Sequence, residues 1–420
     1  MRIIVDFHVH SKYSRATSSD MNITNIVKWA DKKGIEIIGS GDFQHPVYFG
    51  ELKNKLEPAE PGLFKLRKEQ TKARVVLTTE ISNIFKQGDK VRKIHTLIFM
   101  PDIYMAEKFS KLLSAKGNTC SDGRPIFGFS VTELVKMTLD ICPDAMIVPA
   151  HAWTPWFSVF GSKSGFDSLE ECFGEWTKYV KAIETGLSSD PAANWRISAL
   201  DAVTLISNSD AHSARKIGRE ANVFDCGMDY YEIKKIIEKK DRKKFLFTIE
   251  FFPEEGKYHY DGHRLCGVSY HPREAVALKN RCPVCFKPLT LGVLHRIEEL
   301  ADRPWDYVPP DAIPQKHLIP LEEIIADALD MSPQSKKVRY EYETLLSKCG
   351  TEFEILLDLS EETLRKNVSI QKITDGIMKV RREEVNVVPG FDGEYGKISI
   401  FGNKKENKER KNVQMSMFGE

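Results

Sequence analysis

Apolar runs of strand length alternate with amphipathic stretches of helix length up to about residue 250. The runs Ile3 to Phe7, Ile35 to Gly39, Val75 to Glu80, His95 to Met100, Met146 to His151, Val180 to Glu184 and Val203 to Ser207 predict seven strands. Between several of them, Ile23 to Lys33 and Ser130 to Leu139 carry the spacing of a helix with one apolar face. Such alternation predicts parallel strands joined by crossovers, hence an α/β fold, either layered or a seven-stranded barrel slightly smaller than the eight-stranded type. Further on the pattern changes. Arg296 to Arg303 reads as helix, Pro304 through Pro320 as a linker or extended crossover, and Leu321 to Val388 as a helical segment with Leu321, Ile324, Ile325, Ala328 and Leu329 on one face. From Asn403 to Asn412 nearly every residue is charged or an amide, which predicts a disordered tether. The expected units are 1–250, 251–303, 304–400 and a tail, 401–420.

Composition narrows the class only in part. With 420 residues, 41% of them hydrophobic, the chain can bury a large core and is long enough for two to three domains. No uncharged apolar stretch reaches the roughly 18 to 20 residues of a membrane span, and the N-terminus runs into a charged strand rather than a signal pattern. A cytoplasmic protein is expected. Eight cysteines in a chain this long do not suggest a disulfide framework, and Cys282 and Cys285 are the one close pair. The net charge of +1 neither supports nor excludes nucleic acid, since a local basic groove is invisible in a balanced total.

Two short strings carry the chemistry: His8-Val9-His10 and Asp210-Ala211-His212. Each follows an apolar run and offers two metal-ligand side chains two residues apart, which an extended strand turns to one face. Asp42, Glu80, His151 and Glu184 also fall at or just past the C-terminal ends of predicted strands, where barrel enzymes carry their sites; His95 opens its strand and fits less well. Histidine and carboxylate donors suit zinc, manganese or iron, and a multinuclear site of this kind suits phosphoester hydrolysis.

His8-Val9-His10-Ser11, Gly41-Asp42, Glu80, Lys93-Ile94-His95, His151 and Asn208-Ser209-Asp210-Ala211-His212 together resemble the polymerase and histidinol phosphatase (PHP) domain over about residues 1 to 250. That resemblance implies a distorted seven-stranded barrel with a three-metal phosphoesterase site. Where many members have a histidine after the second-motif aspartate, this chain has Phe43, which leaves Asp42 as the ligand there, with His45 as an alternative on a loop. Ser14-Arg15-Ala16-Thr17-Ser18, Gly165-Phe166-Asp167-Ser168-Leu169, Glu184-Thr185-Gly186-Leu187-Ser188, Asn194-Trp195-Arg196 and the later cysteine region are similar to endonuclease Q. The resemblance implies a DNA repair endonuclease, acting as a monomer, that nicks damaged double- or single-stranded DNA. The cut falls on the 5′ side of uracil, hypoxanthine, xanthine or an abasic site, and leaves a 3′-hydroxyl and a 5′-phosphate. Its active site would hold two or three divalent metals (zinc, manganese or magnesium) on His8, His10, Asp42, Glu80, His95, His151, Asp210 and His212, with Asp210, His212 and Glu80 catalytic. A PHP-type phosphatase acting on a small phosphorylated metabolite is the alternative.

The second module carries two close pairs, His263-Arg264-Leu265-Cys266 and Cys282-Pro283-Val284-Cys285, whose spacing suits two knuckles on one structural zinc; His259 and His271 leave the first pair ambiguous. Arg264, Arg273, Lys279 and Arg281 surround those ligands and could meet phosphates. A damaged base must leave the stack to be inspected. Trp156 and Phe157 are candidates to contact the DNA, and Arg15 and Arg196 to clamp phosphates. The helical segment is expected to complete a duplex-binding groove. The tail closes on Gln414-Met415-Ser416-Met417-Phe418, similar to the pentapeptide by which bacterial proteins bind the β sliding clamp, with Gln414, Met417 and Phe418 as its anchors. On that ground the chain is placed with bacterial-type members.

Overall fold

The computed structural model describes residues 1–402, so the clamp-binding expectation for Gln414, Met417 and Phe418 lies outside the described residues. All seven expected strands form: β1 Arg2–Asp6, β2 Ile37–Gly39, β3 Arg74–Gln87, β4 Lys90–Met100, β5 Met146–Pro149, β6 Ala182–Glu184 and β7 Thr204–Ile206. One buried apolar cluster takes side chains from every one of them, among them Val5, Ile37, Val76, Phe99, Val148, Ala182 and Ile206. Each fully buried side chain of this kind contributes roughly 1.5–3 kcal/mol. The seven strands therefore surround a common core.

Their hydrogen bonding departs from the expectation in two ways. β1, β2 and β3 run parallel, but β3 and β4 form one long antiparallel hairpin, and β4 pairs antiparallel with β5. His95 accordingly lies inside β4 rather than opening a strand. Nor does the sheet close as a seven-stranded barrel. β6 and β7 make a separate two-stranded parallel sheet, while β1 turns its other edge to β8 Ala221–Asp225, which pairs with β9 Phe245–Glu250. Two asparagines explain the open seam between β1 and β7. Asn208 Oδ1 accepts from Phe7 N–H at 2.9 Å, and the Asn222 amide accepts from Ser207 N–H at 2.9 Å while donating to Ser207 O at 2.7 Å. Side-chain amides thus satisfy backbone groups that a ladder would otherwise pair.

The expected linker contributes a strand as well. Gln315–His317 lies parallel to β9, bringing the larger sheet to 11 strands. Before it, the hairpin Asp261–His263 with Val268–Tyr270 and the helix Pro272–Ala277 enclose a small core of their own around Ala275, Cys282 and Leu289. After it, helices Leu321–Leu329, Lys336–Cys349, Glu361–Asn367 and Gln371–Arg381 share the main apolar cluster with the first 250 residues. A buried ion pair fixes that junction: Lys33, at the end of helix Ile23–Lys33, meets Glu352 at 2.7 Å, and Glu352 also accepts from the Tyr342 hydroxyl at 2.7 Å. Among the described residues, no helix is long and apolar enough to cross a membrane.

Candidate metal centre

The two strings of the sequence are joined by backbone. Asp6 Oδ1 accepts from Ser209 N–H at 3.1 Å, His10 N–H donates to Ala211 O at 3.0 Å, and Val9 and Ala211 form an isolated bridge. Residues 201 positions apart, such as Phe7 and Asn208, are thereby locked side by side. Burial pushes the Asp6 carboxyl up to about 6 even though it accepts from Ser209 and Gly218. No metal-ligand pattern marks Asp6; its signal is a carboxylate closing an apolar strand.

Four buried donor atoms at this junction have no hydrogen-bond partner among the described residues: His8 Nε2, His10 Nε2, Glu80 Oε2 and Asp210 Oδ1. They face one another. His10 Nε2 lies 3.0 Å from Asp210 Oδ1, out of line for a hydrogen bond, and 3.4 Å from Glu80 Oε2, while His8 Nε2 is 3.8 Å from both carboxylates. Such spacing is that of atoms sharing one ion at about 2.0–2.2 Å. A second group adjoins the first. Glu80 Oε1 is 2.6 Å from His95 Nδ1 and 2.9 Å from His151 Nε2, and the two imidazoles are 3.2 Å apart. Glu80 therefore presents one oxygen to each group, in the manner of a carboxylate bridging two cations. The donor sets His8, His10 and Asp210, and Glu80, His95 and His151, each fit a divalent metal.

Outer contacts aim these donors. Glu184 takes His8 Nδ1 at 3.0 Å and also accepts from His151 N–H at 2.7 Å and from the Asn208 amide at 2.9 Å. Asp42 Oδ1 lies 3.0 Å from His10 Nδ1, and its Oδ2 accepts from both Ser11 N–H and Ser11 Oγ–H at 2.7 Å. With each Nδ1–H donated backward, Nε2 is left as the donor facing the centre. Burial opposes charge throughout; it prevails at His95, which is lowered, and is outweighed by the opposed groups elsewhere in the two sets. His10 rises to about 9 beside Asp42 and Asp210, and His8 rises well above the ordinary imidazole value beside Glu184 and Asp210. Glu80 and Asp210 are held well below the ordinary carboxylate range by the histidines they face.

Strain is concentrated here. Asp42, His151 and Asp210, each shortly after a strand, have φ of +45°, +30° and +46°, a region costly for residues with a side chain. Gly186 at φ +65° lies against His151, where a Cβ would meet His151 Cβ at 2.6 Å. The left-handed turn at Asp210 also breaks the extended geometry assumed for the second string. Asp210 joins the donor group, whereas His212 stays outside it, its Nδ1 2.9 Å from Asp210 O and its ring 4.5 Å from that of His10.

Not every expected residue reaches the centre. Asp42 and His212 stand outside the two donor groups. His45 caps helix Pro46–Lys55 and approaches Cys120 O, and Phe43 packs into the core against Phe109. Arg196 is buried, bonded to Glu298 and to Arg303 O and stacked on Trp305, so it ties two elements together rather than facing outward. Arg15 and Trp156 are exposed, and Phe157 lies 4.6 Å from the His95 ring with φ +60°. Sequence reasoning missed Arg124. Its guanidinium lies 3.7 Å from Glu80 Oε2 with no bidentate partner among the described residues, on a loop pinned by Gly123 N–H to Tyr13 O and Gln44 to Gly123 O. Only the loop's Asp-Gly hinted at a tight turn there.

Apart from this centre, His263, Cys266, Cys282 and Cys285 bring four donor atoms within 4.8 Å of one another. His263 and Cys266, rather than His259 or His271, share that group with the cysteine pair. His271 caps its own helix by accepting from Arg273 N–H, and His259 stacks on Tyr260.

The family description of the MJ0043 C-terminal domain matches residues 320–384, which covers the helices that follow Gln315–His317. MJ0043 of Methanocaldococcus jannaschii is 31% identical over 264 residues, 61% of this chain and 32% of that protein, so the chain spans about a third of that relative's length. YqxK of Bacillus subtilis is 29% identical over 416 residues, 94% of this chain and 99% of its own. Among solved structures, the lesion-specific endonuclease PfuEndoQ of Pyrococcus furiosus superposes with a TM-score of 0.84 at 31% identity, over 98% of this chain and 99% of that one. Endonuclease Q in complex with a 27-mer duplex substrate carrying an abasic lesion at its active site gives 0.82 at 31% identity, over 97% and 100%. With near-complete coverage in both directions joined to this donor geometry, the chain belongs to the endonuclease Q family of DNA endonucleases.

Proposed function

We propose that this chain is a DNA repair endonuclease that hydrolyses the phosphodiester on the 5′ side of deaminated bases and abasic sites, with divalent cations that the two donor groups sharing Glu80 would hold. The observation that carries the reading is the set of four inward-facing, unpartnered buried donors. Left without an ion, such atoms would be costly to bury. The abasic-lesion duplex in the related complex supports a lesion as substrate. In this reading the seven strands form a distorted PHP barrel, with the seam between β1 and β7 spanned by asparagine side chains.

His8, His10 and Asp210 would hold one cation, His95 and His151 the other, with a Glu80 oxygen on each. Bound divalent ions supply a water of lowered pKa and positive charge for the phosphate. Asp42 and Glu184 keep the imidazoles oriented. Arg124, at the edge of the cluster and partly exposed, orients the phosphate through its free guanidinium N–H groups. His212, with Nδ1 held by Asp210 O and its ring 4.5 Å from that of His10, keeps Nε2 for the proton of the leaving 3′-oxygen. His263, Cys266, Cys282 and Cys285 fill four positions, and so suit a structural zinc with no site left for water.

The test is incubation with end-labelled duplexes containing uracil, hypoxanthine, an abasic site or no lesion, with and without manganese or magnesium. A metal-dependent nick immediately 5′ of the lesion is expected. Equal cutting of undamaged duplex, or phosphatase activity on a small phosphoester with no nicking, would overturn the reading.

A further inference from the structure

The two knuckles differ at one equivalent position. In each, the residue after the second donor turns into the left-handed region, where glycine is at ease. The first knuckle meets this with Gly267 at φ +65°, after Cys266. The second places Phe286 there at φ +61°, after Cys285, with 72% of the residue exposed. A bulky aromatic at such a φ is strained, and here burial gives no return for it. Beside it, Leu265 and Val284 are 83% and 62% exposed, each next in sequence to a donor. Because the four donors converge within 4.8 Å, all three exposed side chains stand on residues adjoining one donor group.

The same stretch is rich in exposed cations. Residues 261–292 contain Arg264, Arg273, Lys279, Arg281 and Lys287, all exposed. The carboxylates in the same stretch are engaged: Asp261 is buried against His295, and Glu274 accepts from His271 N–H to cap its helix. Exposed apolar side chains among such cations fit a nucleic-acid duplex, which offers phosphates around an apolar stack. The module also abuts the loops that follow the donor strands. Tyr258, just before it, lies 6.1 Å from Trp156, and a cavity of about 290 Å³ is lined jointly by Ser188, Asp190, His259 and His271.

We infer that Phe286, with Leu265 and Val284, is an apolar wedge that enters a duplex beside the lesion and unstacks the neighbouring step. The inference rests on the endonuclease reading above. It assigns the knuckle end a part in opening the duplex, separate from holding phosphates.

The test uses the full chain with Phe286→Gly and Phe286→Tyr, and a duplex carrying 2-aminopurine next to a paired uracil. Phe286→Gly removes the strained φ, so its melting temperature and knuckle-bound metal should equal or exceed those of the wild type. Wild type and Phe286→Tyr should raise 2-aminopurine fluorescence on binding, and Phe286→Gly should not. Nicking by Phe286→Gly should fall roughly tenfold or more on the paired lesion, and by clearly less on the same lesion inside a short mismatch bubble. Equal losses on both substrates, or fluorescence and nicking like the wild type, would overturn the wedge. So would a wild-type dimer that Phe286→Gly dissociates with fluorescence unchanged, since the apolar end would then join two copies. Wild-type protein that unstacks the duplex without nicking it would sink the endonuclease reading and leave the wedge standing.

Discussion

The inward donors at the strand ends come from residues as far apart as His8 and Asp210, while those of the knuckles all fall between His263 and Cys285. At the strand ends a hydrophobic core and side-chain hydrogen bonds position donors independently of any ion, as Glu184 does for His8, Asp42 for His10 and Thr154 for His151. At the knuckles the associated core is only Ala275, Cys282 and Leu289, with a few half-buried neighbours. On the proposed reading, the first site would be a fold that accepts ions and the second a stretch of chain that depends on one to fold. Removing a donor should therefore remove chemistry in one place and structure in the other.

The sharpest break in that comparison is Asp210→Ala. It deletes one of the four unpartnered atoms, so nicking of uracil-containing duplex should become undetectable, by 10³-fold or more on the order of other charge-stabilising groups. The melting curve should move little, because only a loop end loses a contact. Unfolding of the variant, or full activity from metal-stripped and purified protein, would contradict the contrast. Cys282→Ser is the mirror experiment. One tightly bound zinc per chain should be lost, and protease should cut within residues 261–292 while the first 250 residues stay protected. A variant that keeps its zinc and its protection would show the knuckle core to be self-sufficient.

How much of this was legible depended on whether the signal was local. The seven strands were legible because each is a contiguous apolar run, and the Cys282 and Cys285 pair because knuckle spacing is itself the geometry. Glu80 was legible as a donor, but its bridging of two groups was not, since that depends on His95 lying within a long hairpin rather than opening a strand. The pairing rule for residues two apart held for His8 and His10, which join one donor group. It failed for Asp210 and His212 because φ at Asp210 is +46°. Arg196 looked like a free cation in the sequence and is a buried tie, because Glu298 and Arg303 approach it from about a hundred residues away.

The contact between the two regions is titratable. His317, stacked on Phe252, faces Asp190 at 3.2 Å and Glu383 at 3.4 Å, and Asp190 also lines the cavity against the knuckle segment. Burial pulls His317 down, but Asp190 outweighs it and lifts the imidazole to about 9. A raised folded-state value means this contribution is complete below the ordinary 6.5 and is lost as pH climbs through 9. Nearby Glu250, pushed up to about 8 by burial, changes in the same direction, its share being lost between 4.5 and 8. Stability should thus decline from pH 6.5 to 9 by on the order of 2 to 3 kcal/mol from His317. His317→Gln should flatten the part between pH 8 and 9 in thermal melts. An unchanged slope there would remove His317 from the seam's pH response.

Asp42→Asn asks the finest question, whether Asp42 supports the centre or belongs to it. The sequence made Asp42 a ligand; the structure sets it behind His10, with Oδ2 accepting from Ser11 N–H and Oγ–H. Asparagine tolerates the left-handed φ of this position, so the backbone has no reason to change. Its amide cannot do both jobs, however. With Oδ1 kept on His10 Nδ1–H, the new NH₂ faces the Ser11 backbone donor; flipped, it faces His10 and disturbs the tautomer that presents Nε2. A supporting residue should then cost about 10- to 100-fold in metal affinity, read by manganese titration of chelator-treated protein, with knuckle zinc and melting temperature unaffected. Glu184→Gln, behind His8, should match it. A loss as complete as that of Asp210→Ala would instead return Asp42 to the ligand set and require its carboxylate to swing from Ser11 when the ions enter.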